Sequence, residues 1–133
     1  MTPSLESPNT AASSNVQRFA TASLVLAALV VASVFIQSVL AGQHLAFGSS
    51  IEIHGLIGSA VFTFQAALVV LVFMGRASTE VKITAILILG LLFAQIGLGY
   101  ATRSGGHVLN AWHIPLGITL FGMSTWQLAR IRS

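Results

Sequence analysis

The chain has 133 residues, 55% of them hydrophobic and 7% charged, with a formal net charge of +3 and no cysteine. Soluble domains carry about 25% charged residues, so lipid is the expected solvent and no soluble domain fits. The missing cysteines exclude disulfides, thiolate-held metals and covalent c-type haem attachment.

In chain order, the first seventeen residues are rich in Ser, Thr and Pro without apolar periodicity, and predict a disordered cytoplasmic tail over 1–17. Four charge-free runs follow, at 19–51 (apolar to about Ala41), 53–75, 83–102 and 104–129. A bilayer span needs about 20 apolar residues, so each run can cross once. The predicted helices are 19–41, 51–74, 81–101 and 107–129, forming one transmembrane domain over 18–133. The first run also has small residues, Val39 and Ala41, where a signal peptide is cut. Its apolar core is longer than such a leader's, so it is read as a retained helix.

Basic residues set the expected orientation. With the N-terminus inside, Arg18, Arg76, Lys82, Arg130 and Arg132 lie on the cytoplasmic side and Arg103 alone lies outside. The basic balance thus follows from topology in a bacterial-type cell membrane, and no nucleic-acid partner is implied. Short connections make neighbouring helices antiparallel. The fold class is therefore an all-α membrane protein, a four-transmembrane-helix up-down bundle with both termini cytoplasmic.

The two halves echo each other. FIQSVLAG (35–42) ends helix 1 and FAQIGLGY (93–100) ends helix 3, sharing Phe, Gln and Leu. Gln37 precedes His54 by 17 residues, and Gln95 precedes His113 by 18. The bundle is read as two pseudo-repeated helical hairpins.

The chemistry lies in EIHGLIG (52–58) and AWHIPLG (111–117), where each histidine is followed four residues later by a glycine. Helices 2 and 4 both run inward, so His54 and His113 share a depth of about 5–10 Å below the outer boundary. Two neutral imidazoles at matched depth can ligate one haem iron axially. Gly58 and Gly117, one turn further along, would give a flat macrocycle a wall without side chains. Interhelical hydrogen bonding and close packing explain each residue separately as well. Zinc generally wants three or four ligands, and only Glu52 is at hand to join the pair. Gln37 and Gln95 can bond an imidazole as outer partners or bridge helices. Pro115 withdraws the amide that the Ala111 carbonyl would receive. Arg103 and His107 can pair with haem propionates, or be ordinary loop residues. Tyr100 and Trp112 suit an interfacial belt, Trp112 also a haem edge, while His44 reads as a plain loop residue.

The segments LAGQHLAFGSSIEIHGLIG (40–58) and LGYATRSGGHVLNAWHIPLG (98–117) resemble one half of haem A synthase, an eight-helix membrane protein made of two four-helix halves. The resemblance spans about residues 19–130. It implies that His54 and His113 are axial ligands of a b-type haem. Three features depart from the family: Glu52 precedes His54 by two residues where the family's catalytic glutamate precedes by three, the cysteine-bearing outer loop is missing, and so is a second half. What carries over is the haem cradle, not the methyl-oxidising activity. Small four-helix membrane proteins of unassigned function look similar too.

Two functions follow. One is a haem b protein for electron transfer or haem handling near the outer face. The other is a cofactor-free accessory or structural subunit. The bilayer is a partner in both, with a second copy of the chain or a larger membrane complex as the candidate protein partner.

Overall fold

The structure, a computed structural model, describes residues 8–105 and 107–133, without the side chains of 8–13, 107 and 110. It is all-helical: α1 (Pro8–Phe47), α2 (Glu52–Met74), α3 (Thr79–Arg103), a short 3-10 turn (His107–Leu109) and α4 (Asn110–Arg132). Helix α1 begins within the segment read from sequence as a tail, with residues 8–17 helical and 1–7 outside the described residues. Ala, Ser, Asn and Gln there carry no breaker, and a helix once nucleated by an apolar segment propagates at little cost. At 40 residues α1 is about 60 Å long, twice a bilayer core of about 30 Å.

Local chemistry sets the helix ends. Gly48 adopts a left-handed conformation (φ 65°) and returns its amide to the His44 carbonyl at 2.9 Å, closing α1. Ser78 caps α3 by accepting from the Val81 amide at 3.3 Å. Between α2 and α3, Arg76 takes the left-handed position (φ 55°) and the Ala77 amide reaches back to the Val72 carbonyl.

Each helix packs against its sequence neighbours, and α1 closes the ring on α4. Helices α2 and α4 therefore face each other across one diagonal, α1 and α3 across the other. Two apolar clusters fill the axis. Val30, Val34, Val61, Ile88, Leu92 and Leu120 occupy the middle. Ala27, Leu68, Val72, Val81 and Ala85 lie towards the end that carries Arg76 and Arg130. A surface ion pair between Arg130 and Glu80 (2.6 Å) ties α4 to α3 there, worth at most about 1 kcal/mol at such exposure. Leu68 is wholly buried, so Leu68→Ala should cost about 2–5 kcal/mol, measured as a lower unfolding midpoint in detergent.

Helices α1, α2 and α3 are long and apolar enough to cross a membrane. Helix α4 also has the length, at 23 residues, but interleaves its apolar residues with Thr, Ser, Gln and Pro. Its polar side chains are met unequally, and the buried Ser124 Oγ and Gln127 Nε2 have no hydrogen-bond partner among the described residues. Ser124 and Gln127 are buried, while Thr119 and Thr125 return their hydroxyls to the carbonyls of Pro115 and Phe121 at 3.0 and 2.8 Å.

Candidate functional site

His54 and His113 both lie in the first turn of their helices, α2 and α4. The diagonal arrangement turns them towards each other. Their ring centroids are 6.2 Å apart and the ring planes are inclined at 52°. Both are half-buried.

Around them opens a cavity of about 330 Å³ lined by all four helices. Val34, Val61, Leu92 and Leu120, one buried residue from each helix, form its floor. The lining follows a positional rule. Every lining residue of α1 has a counterpart fifty-eight positions later on α3, as with Gln37 and Gln95, Ala41 and Gly99, or Leu45 and Arg103. Every lining residue of α2 has one fifty-nine positions later on α4, as with His54 and His113, Gly58 and Gly117, or Ser59 and Ile118.

The polar contacts repeat in the same way. Gln37 donates through Nε2 to the His54 carbonyl at 2.7 Å, and Gln95 donates to the His113 carbonyl at 3.0 Å. The glutamines thus bond the histidine backbone, not the imidazoles as one sequence reading had it. The glycines have a matching part. A Cβ at Gly58 would stand 3.0 Å from Gln37 Nε2, and one at Gly117 would stand 3.3 Å from Gln95 Nε2. Each glycine lines the cavity and also leaves room for the amide that holds the carbonyl of the histidine four residues earlier on the same helix.

Four buried polar atoms at this level have no hydrogen-bond partner: Nδ1 of His54 and His113, and Oε1 of Gln37 and Gln95. Most buried polar atoms in folded proteins are paired, so two matched sets of orphans in one cavity call for a reason. A ring N–H and an amide oxygen are complementary in kind, as donor and acceptor.

The remaining sequence candidates separate. Arg103 lines the cavity, its guanidinium lying against Gly55, where a Cβ would come within 2.8 Å of Nη2. Tyr100 lines it too, under the Arg103 guanidinium at 5.8 Å. Trp112 is exposed and is not part of the lining. His44 stands outside the lining and places Nδ1 2.6 Å from the Ser49 carbonyl. Glu52 is exposed and also outside it. The side chain of His107 lies outside the described residues. Among those described, no three His, Asp or Glu side chains gather as a metal site.

Sequence reading passed over Ala41, Gly42 and Gly99, small residues that α1 and α3 present to the cavity. It also missed a second polar layer deeper in the bundle. There Gln65 donates to the Ala85 carbonyl at 3.0 Å and meets Gln127 Oε1 at 3.4 Å, with buried Ser124 on the same face as Gln127. A lone Gln in the apolar run VFTFQAALVV (61–70) was its available signal. No protein-family profile, curated protein or solved structure matches the chain.

Proposed function

We propose that the chain is an integral membrane protein of four spanning helices, built from two related hairpins. It holds one haem b between His54 and His113 near the outer face, for electron transfer or haem handling. The distance between the imidazoles carries the proposal. Two imidazoles that share one metal, each with a metal–nitrogen bond of about 2.0–2.1 Å, have ring centres within about 6–7 Å of each other. The ring centroids here are 6.2 Å apart.

The rest of the cavity fits the group. A bis-histidine haem brings four ligands of its own and needs only two from the protein, so the lack of a third protein ligand is no obstacle. The helices flanking the histidine pair present the small residues Ala41, Gly42 and Gly99, and the His113 ring lies against Gly99, where a Cβ would stand 3.3 Å from Cε1. Gln37 and Gln95 hold the two histidine carbonyls and so set the height of each imidazole on its helix. When bound, haem supplies one-electron chemistry, and two axial imidazoles favour electron transfer over oxygen binding. The matched lining and matched glutamine bonds support the reading of two related hairpins. Titration of ferric haem into the detergent-purified chain tests the proposal. Saturation at one haem per chain with a low-spin spectrum is expected, and no uptake would leave the cofactor-free subunit as the reading.

The positive-inside bias orients the bundle with the histidine end outside. Reporters fused after Met74 and at the C-terminus should read cytoplasmic, and one placed in 48–51 should read external. A cytoplasmic reading for 48–51 would overturn the outer placement of the site.

A further inference from the structure

The cavity obeys its positional rule in place but not in charge. Arg103 is the one Lys or Arg in the lining, and its counterpart on α1 is Leu45. A second departure falls at the same corner. The α2 residue against the guanidinium is Gly55, whose counterpart on α4 is Ile114. Where Ile114 puts a side chain, Gly55 leaves the space that Arg103 fills. A cation and the gap that admits it thus occur together between α2 and α3, and neither occurs between α4 and α1.

The guanidinium there has no carboxylate partner among the described residues. The ion pair among the described residues is Arg130–Glu80, at the other end of the bundle. Arg103 has the Ile51 carbonyl at a long 3.5 Å from Nη2 and the Tyr100 ring 5.8 Å from its guanidinium carbon, and both partners are uncharged. Ile51 is the N-cap of α2 and supplies no side-chain cap, the Glu52 amide being met by Ser50 Oγ at 3.3 Å, so the positive dipole end of α2 lies beside Arg103. Glu52 is the acidic residue nearest in sequence, but it forms no ion pair with Arg103 and stays out of the lining. A helix start and an arginine together favour an anion.

We infer that the site selects a flat ligand with carboxylates on one edge, held at the α2–α3 corner by Arg103 and not at the equivalent α4–α1 corner. The inference rests on the haem reading above and adds its specificity determinant. Ferric protoporphyrin IX and its dimethyl ester, which masks both carboxylates, are the probes, titrated into detergent-purified protein. Wild type should bind the free acid about tenfold or more tighter, the scale of a charge-assisted hydrogen bond. Arg103→Leu, which copies Leu45, should bind both alike, and Arg103→Lys should keep part of the preference. Moving the corner should move the preference. In the Arg103→Leu background, Leu45→Arg with Ile114→Gly should restore it, whereas Leu45→Arg alone should restore less. Equal binding of acid and ester by wild type, an unchanged preference in Arg103→Leu, or failure of the transplanted corner would overturn the inference while haem binding stands. Uptake of neither probe by wild type would remove the haem reading and this inference together.

Discussion

His54→Ala and His113→Ala should each abolish low-spin haem, while His44→Ala and His107→Ala leave it in place. The two imidazoles stand with ring centroids 6.2 Å apart and planes inclined at 52°, in a cavity shared by all four helices. Loss of either leaves at best a five-coordinate iron, so a change of spin state should appear even where some haem is retained. Neither replacement should unfold the bundle, because the apolar clusters form the cavity floor and the packing beneath it and contain neither histidine. A ring nitrogen must be unprotonated to ligate a metal, so haem affinity should fall as pH is lowered and protons compete for the imidazoles. Haem lost in His107→Ala but kept in His113→Ala would move the site to the connection before α4.

Gly58→Leu and Gly117→Leu should each lower haem affinity by more than tenfold with the bundle still inserted. At Gly58 a Cβ alone would crowd Gln37 Nε2 at 3.0 Å, and at Gly117 it would crowd Gln95 Nε2 at 3.3 Å. A leucine therefore has to displace an amide from its bond to the histidine carbonyl, and its remaining bulk enters the cavity. Gly97→Leu is the control, since nothing lies within 4 Å of a Cβ there and the residue is exposed. Full haem occupancy in both cavity variants would assign the glycines to helix packing alone.

The helices were legible because charge is so scarce in this chain. Arg18, Glu52, Arg76 and Arg103 bracket the apolar runs and leave little choice of where α1 to α3 pass. Their ends were harder to read. The residues before Arg18 are polar but contain no helix breaker between Asn9 and Gln17, and polarity alone does not stop a helix. Helix α4 was harder again, since its length is that of a span while Thr119, Ser124, Thr125 and Gln127 dilute it. At the site, the equal spacing of histidine and glycine was visible in the residues. The function of that spacing was not, because it depends on a third residue from another helix. Gln37 and Gln95 reach across to the carbonyls of the histidines over the glycines four residues on. The change of offset from fifty-eight to fifty-nine, caused by one extra residue between Gln95 and His113, also hid how completely the two linings correspond. Gln65, Gln127 and Ser124 lie in segments remote from one another along the chain, and only packing unites them.

The absorption spectrum of the protein, purified from cells supplied with haem and recorded oxidised and then reduced, tests the central claim most directly. A haem with two axial imidazoles should give a low-spin spectrum in both states, one haem per chain, and no change on adding an external ligand such as carbon monoxide to the reduced form. A colourless protein, or a high-spin haem that binds carbon monoxide readily, would contradict ligation by His54 and His113.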